Sequence, residues 1–321
     1  MSFDEPALNP AQQEVLDRLG RGEGPPPQHP TDLRDRLLTQ LERDLAPAVE
    51  DLPEGERLFL SKHVLAQVHG CEARYLAEED AGFAWSVPLA VGTITHKAIE
   101  LTLNWRGEQV PNTLVEEAMA KLEADSSGVG EFLQTCSAAD RAELEGAATD
   151  RLAKFIECFP PLNPRWRPVV ESRIYAELCD GRVVLQGRVD LTLGHAEGTT
   201  ARKVIIDLKT GRFSPVHRHD LYFYALVETL RIGVPPRLLA TYYLDAARVD
   251  ADSVSEDVLR SAAMRVAAGA TRLVLLTRDP DVAVKRPGPP CHWCLLQDDC
   301  AEGQAWMEGR DDLDSRIDDD W

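Results

Sequence analysis

The chain has 321 residues, of which 44% are hydrophobic and 28% charged, which fits a folded globular protein and excludes a wholly disordered or fibrous one. Fifty-four acidic against 35 basic residues leave a formal charge of −19, which argues against a non-specific cationic coat for nucleic acid. No apolar run reaches membrane-spanning length, and the opening MSFDEPALNPAQQEV lacks the basic and apolar regions of a secretion signal, so a cytoplasmic location without membrane contact is expected.

Residues 1–55 read as an acidic N-terminal extension with a proline-rich linker, because Pro25–Pro27 cannot continue a helix. Inside it Leu33, Leu37, Leu38, Leu41 and Leu45 repeat at helical spacing. Residues 56–303 read as one domain: a helical lobe (56–160), a core (165–280) and a cysteine knuckle (287–303), followed by an acidic tail (304–321). In the lobe, helices are expected from Ser61, a good N-cap, to Ala77, from near Thr93 to Trp105, over Leu114–Ala124, and over Ala138–Cys158. Past residue 168 the texture turns β-branched. Val169–Leu178 and Val183–Leu193, split by Cys179-Asp180-Gly181, read as a hairpin that Lys203–Leu208 joins. A helix at Asp220–Ile232, a strand at Leu238–Leu244 and a helix at Glu256–Leu276 complete an α/β or α+β layered core. There is no internal repeat and no GxxxxGK[ST] run, so the chain carries no recognisable nucleotide-driven motor.

The charge is unevenly spread. Basic residues outnumber acidic ones ten to six between Arg165 and His219, and five to two between Arg265 and Arg286. The ends carry much of the acid, notably Asp311, Asp312, Asp314, Asp318, Asp319 and Asp320. The middle can therefore still meet phosphate.

The most informative residues are Gly187-Arg188-Val189-Asp190 and, seventeen residues later, Asp207-Leu208-Lys209-Thr210-Gly211. On a strand Asp207 and Lys209 share a face, while Ile206 and Leu208 point into the core. Asp190 falls near the end of the neighbouring strand. Two carboxylates converging at one sheet edge repel unless a cation neutralises them, and such oxygen ligands suit Mg²⁺ or Mn²⁺. An ammonium two residues away can orient a water and stabilise developing charge. Taken singly, Asp-x-Lys is commonly just a surface ion pair and His96 a satisfied histidine. Here Glu171 opens the preceding strand, and Gly92-Thr93-Ile94-Thr95-His96 sets a histidine in the first turns of an upstream helix.

In their order and spacing, Gly-x-x-x-His (Gly92, His96), Gly-Arg-Val-Asp and Asp-Leu-Lys-Thr-Gly resemble the motifs of RecB-type nucleases of the PD-(D/E)XK superfamily. The resemblance implies a restriction-endonuclease-like core, a small mixed sheet flanked by helices, with a helical N-terminal lobe. It implies that His96, Asp190, Asp207 and the Leu208 carbonyl bind the metal and that Lys209 assists catalysis. Glu171 matches the acid that opens the first core strand. Tyr224 matches the last residue of a Gln-x-x-x-Tyr motif, in which Asp220 stands where the family has Gln.

Cys136, Cys158 and Cys179 are scattered and read as small core residues. Cys291-x-x-Cys294 and Cys300 are clustered after Arg286-Pro287-Gly288-Pro289-Pro290, and three thiolates need a fourth ligand, for which Cys71 is the best candidate. Four cysteines at such spacings fit either zinc or an iron–sulfur cluster, zinc being the commoner structural choice. The Cys71-x-x-Arg74-Tyr75 context resembles the iron–sulfur subgroup of RecB-type nucleases, which includes the AddB nuclease domain and the exonucleases of CRISPR adaptation. That resemblance implies a structural [4Fe-4S] cluster on Cys71, Cys291, Cys294 and Cys300.

The expected function is a metal-dependent DNA nuclease, an exonuclease or end-processing enzyme on single-stranded ends, in repair, recombination or defence, working beside a separate helicase or other partner. Trp85, Trp105 and Trp166 are aromatics that could stack bases but equally suit the core or its rim. The second reading is a non-catalytic DNA-end-binding or scaffold subunit of a larger complex. The acidic total and Asp220 favour that reading, and the complete His/Asp/Asp/Lys set opposes it.

Overall fold

The long hairpin expected from residue 169 onward is the axis of the molecule. Its four-residue loop holds Cys179, Asp180 and Gly181 at positive φ, with the Gly181 N–H donating to the Leu178 carbonyl at 3.1 Å and the Arg182 N–H to the Cys179 carbonyl at 3.0 Å. The computed structural model describes residues 7–20, 25–125 and 128–318, with side chains through residue 309. In chain order the elements are α1 (Pro10–Leu19), α2 (Leu33–Asp51), β1 (Leu58–Leu60), α3 (Lys62–Gly70), α4 (Glu72–Ala81), α5 (Val87–Thr102), α6 (Pro111–Ala124), α7 (Gly128–Thr135) and α8 (Ala138–Cys158). Then come β2 (Val169–Leu178), β3 (Val183–Leu193), β4 (Val204–Lys209), α9 (His217–Ile232), β5 (Leu238–Tyr243), β6 (Arg248–Ser253), α10 (Glu256–Arg278) and α11 (Ala301–Asp318).

The six strands form one mixed sheet in the order β1-β3-β4-β5-β6, with β2 along the other edge of β3. β1 runs parallel to β3 and pairs Leu60 with Leu185, whereas β4 runs antiparallel and pairs Ile206 with Leu191. β1 and β4 therefore occupy opposite ends of one edge of β3 and leave residues 186–190 of that edge open between them. This notch is where the acidic residues gather.

Two apolar clusters lie on either side of the sheet. One takes α2, α3, α9 and α10 together with Val183, Leu185 and Val189 of β3. The other takes α1, α5, α6, α7 and α8 together with Leu191 and Leu193 of the same strand. Strict alternation would keep all five β3 residues on one face. The switch falls between Val189 and Leu191, opposite Glu171, whose φ of 51° is left-handed backbone that a side chain rarely adopts. Glu171 and Asp190 thus emerge where the hairpin passes from one layer to the other.

Several expectations change. The N-terminal segment packs into the fold: Leu33, Leu37, Leu41 and Leu45 are buried in the first cluster and Val15 and Leu19 in the second. The linker is tied to the fold as well, the Pro27 carbonyl accepting the Ala201 N–H at 2.9 Å and the His29 N–H donating to the Thr199 carbonyl at 3.2 Å. The expected helix Ser61–Ala77 is interrupted at Cys71, which is extended (φ −129°, ψ 114°), because the Glu72 N–H leaves the helix ladder for the Val284 carbonyl at 3.1 Å. α5 starts at Val87, with Pro88 in its first turn, so His96 lies in the third turn rather than in the first turns. α11 runs from Ala301 through most of the expected tail; the acidic side chains from Asp311 onward lie outside the described side chains. Among the described residues no helix is long and apolar enough to cross a membrane.

Candidate active site

β4 leaves β3 after Ile206, and Asp190 bridges the fork: its Oδ2 accepts the Leu208 N–H at 2.7 Å. Glu171 lies beside it, because the β2–β3 register sets the two residues opposite one another. α5 brings His96 over the pair. Its Nδ1 is 3.6 Å from Asp190 Oδ1 and 3.8 Å from Glu171 Oε1, and its Nε2 is 3.0 Å from the Leu208 carbonyl. One ligand atom from each of His96, Glu171 and Asp190 falls within 4.8 Å of the others. Burial pushes both carboxyls up from their ordinary range; the Asp190 charge adds to the shift of Glu171, and the Asp207 charge adds to that of Asp190. Such a group is one that a hard divalent cation would relieve.

Asp207, fully buried, projects from β4 to the other side of the fork. Burial alone would raise its carboxyl, but two ammoniums outweigh it and hold it down at about 2. Lys62 Nζ lies 2.6 Å from Oδ1 and Lys209 Nζ 2.9 Å from Oδ2. Oδ2 is thus met by the Lys209 ammonium. Burial disfavours the charge on each lysine, but Asp207 together with Asp220, and for Lys62 also Tyr224 and Asp190, outweighs it, so both ammoniums titrate above the ordinary range. Asp207 is absent from the His96–Glu171–Asp190 group, and the Leu208 carbonyl is engaged by His96. The four expected ligand residues are thus neighbours around the fork, with Glu171 drawn into the group as well.

Sequence reasoning passed over Lys62. Nothing local marks it; β1 pairs with β3, Ser61 caps α3 by accepting the Val64 N–H at 3.2 Å, and the first helical residue is thereby aimed into the notch. Its presence also accounts for Asp220. With Asp207 alone, two half-buried ammoniums would face one carboxylate. Asp220 Oδ2, 3.0 Å from Lys209 and 4.0 Å from Lys62, supplies a second.

Tyr224 is buried in α9, donates its hydroxyl to the Arg188 carbonyl and lies under Lys62, whose Nζ is 4.8 Å from the ring centroid. The ring fits because residue 187 is glycine: a Cβ there would lie 2.7 Å from Tyr224 Cε1. Gly187→Ala is expected to displace the ring and cost about 1–3 kcal/mol through overpacking, read as a lower urea midpoint. An unchanged midpoint would show that the ring has room to move.

The four clustered cysteines line a separate cavity of about 460 Å³ between α3, α4 and the segment from Lys285 to Met307. The Arg286 N–H donates to Cys71 Sγ at 3.5 Å, bridging 215 residues of sequence, and the Gly288 N–H donates to Cys291 Sγ at 3.4 Å. The next residue, Glu72, is fully buried; it binds Arg272 through both oxygens and accepts the Val284 N–H at 2.8 Å. Burial would raise its carboxyl, and the Arg272 guanidinium pulls it below the ordinary range. Trp85, Trp105 and Trp166 pack against the second apolar cluster. The exposed aromatics among the described residues are instead Phe59, Phe83, Tyr175, Phe213 and Trp293.

No curated protein matches the chain by sequence. Among solved structures, the protein SSO0001 is similar at 13% identity, covering 84% of this chain and 96% of that one, with a TM-score of 0.33. A candidate exonuclease from Eubacterium rectale is similar at 10% identity over 77% of this chain and 87% of its own, with a TM-score of 0.42. The match that bears on this fork of strand acids and lysines is a family model, PD-(D/E)XK nuclease superfamily, which covers residues 60–301. Spanned by that model over most of its length, the chain belongs to the PD-(D/E)XK nuclease superfamily.

Proposed function

We propose that the protein is a divalent-metal-dependent DNA nuclease that trims single-stranded ends. The observation that carries this reading is the fork itself: Asp190 held by the Leu208 N–H, with His96 and Glu171 on one side and Asp207 with Lys209 on the other. His96, Asp190, Asp207 and the Leu208 carbonyl would hold Mg²⁺ or Mn²⁺, with Glu171 beside them. The carboxyls of Glu171 and Asp190, pushed up by burial and by neighbouring negative charge, suit such an ion. A divalent cation there supplies Lewis acidity toward a phosphodiester and lowers the pKa of water. Lys209 positions the attacking water and stabilises charge developing on phosphate, while Asp220 and Tyr224 keep the two lysines in place. Lys209→Ala is expected to leave Mn²⁺ affinity by calorimetry near the parental value and to slow single-turnover cleavage about a hundred- to thousandfold. Parental cleavage by that variant would remove the lysine from the reaction.

The cysteine cavity is assigned to a structural [4Fe-4S] cluster. Backbone N–H groups aimed at Cys71 and Cys291 Sγ suit cluster thiolates, whose properties depend on such bonds. Likeness to the iron–sulfur RecB-type nucleases is what points to ends, repair, recombination or defence, and to a partner helicase.

The second reading, a DNA-binding subunit without turnover, draws on one contact: Asp220 holds Lys209 at 3.0 Å, so the lysine is shared. Cleavage of labelled single strands with Mn²⁺ separates the two.

A further inference from the structure

Lys62 touches Asp207 on one side and on the other forms the wall of a second cavity, of about 370 Å³, enclosed by α3, α9 and α10 and reaching Pro290 beside the cysteine knuckle. That volume is within the range of small-ligand pockets. The charged and titratable lining is Lys62, His69, His217, His219, Arg265 and a single acid, Asp220. Asp220 is already taken up by Lys209 at 3.0 Å. Lys62 is paired with Asp207 at 2.6 Å, so among the described residues Arg265 and three imidazoles face this space with no carboxylate of their own.

Arg265 is the most unusual of these groups. It projects from α10, is half-buried, and makes no ion pair with a carboxylate among the described residues. Its guanidinium has one long hydrogen bond, 3.5 Å to the Leu65 carbonyl. Burial lowers its pKa, and only Asp220 pulls the other way. An unpaired guanidinium held partly out of water is costly unless something anionic completes it. Two of the imidazoles are oriented by the fold: His69 Nε2 lies 2.9 Å from the Arg265 carbonyl, and His217 Nδ1 lies 3.1 Å from the Tyr243 hydroxyl. The remaining wall is largely apolar, with Tyr222 and Val266 available to a sugar or base.

We propose that this cavity is a phosphate subsite for the nucleotide next to the one being cleaved, with Arg265 as its principal ligand and Lys62 shared with the fork. The proposal rests on the nuclease reading. A guanidinium presents a planar fork of donors that matches phosphate oxygens, and its charge counts for more between packed helices than in open water. The phosphate is either the terminal monoester of a strand end or an internal diester, and both present the same oxygens to Arg265.

The test is binding of a short fluorescent single strand to the full-length protein in EDTA, followed by anisotropy over a salt series. Strands ending in phosphate and in hydroxyl are compared, and the parent, Arg265→Ala and Arg265→Lys are measured side by side. Arg265→Ala is expected to weaken binding about tenfold or more, the loss of a charge-assisted bond. It should also lower the slope of log affinity against log salt by about 0.7, one phosphate contact on a single strand. Arg265→Lys should keep the slope and recover part of the affinity, which a merely structural role would not produce. An effect confined to phosphorylated ends identifies the terminal monoester, and an equal effect on both strands identifies the diester. Unchanged affinity and slope in both variants would overturn the subsite while leaving the nuclease reading intact. A parent that neither binds nor cleaves single strands would overturn that reading and the subsite together.

Discussion

Asp207→Ala is expected to abolish cleavage and to destabilise the protein by about 3 kcal/mol, because it strips the main counter-charge from two half-buried ammoniums. Lys62 and Lys209 would be left with Asp220 alone. Asp207→Asn keeps the shape and an acceptor for Lys62, so it should lose cleavage while giving back part of the stability. The pH dependence carries the same signature. The folded carboxyl titrates at about 2, below the value of about 3.9 for an unfolded aspartate. A depressed folded pKa means that the stabilisation, on the order of 2–3 kcal/mol, is complete above about pH 4 and fades as pH falls toward 2. The gap in urea midpoint between parent and Asp207→Asn should therefore be wide at pH 7 and narrow on acidification through that window. A gap that stays constant would place the charge balance elsewhere.

Cys71→Ser is expected to be as damaging at a site remote from the fork. If the four cysteines hold one cluster, it ties the break between α3 and α4 to a segment more than 200 residues later, alongside the Glu72–Arg272 pair. By analogy with a disulfide, closing so long a loop removes denatured-state entropy worth up to about 5 kcal/mol. That is comparable with the whole net stability of a typical domain. A buried cysteine without a cluster would cost only about 1–3 kcal/mol on the same change. Anaerobically purified Cys71→Ser should lose most of its iron and its brown colour and become protease-sensitive. Full iron in that variant would remove Cys71 from the set. Stoichiometric zinc without sulfide in the parent would make the staple a zinc site and leave the nuclease reading standing.

What the sequence made legible follows from how local each signal is. β2, β3 and β4 stand out because β-branched runs and an Asp-Gly turn are written into adjacent residues. The alternation that sets Asp207 and Lys209 on one face is likewise local. β1 escaped because three residues carry no period; its existence depends on pairing with β3 more than 120 positions later. β6 escaped because it is an edge strand whose Asp250 and Asp252 face Arg218. The interruption at Cys71 depends on the Val284 carbonyl, and no pattern around residue 71 encodes that. Lys62 is hidden for the same reason as β1, the strand that delivers it. Asp220, a departure from the family's glutamine when read alone, becomes intelligible once Lys62 is beside it.

The most direct measurement is cleavage of end-labelled single-stranded DNA by the full-length protein with Mn²⁺, with EDTA and the Asp207→Asn variant as parallel reactions. The expected result is shortened product from the parent with Mn²⁺, none with EDTA and none from the variant. A folded parent that binds Mn²⁺ and the strand yet leaves it uncut, or a variant that cuts at the parental rate, would contradict catalysis at this fork.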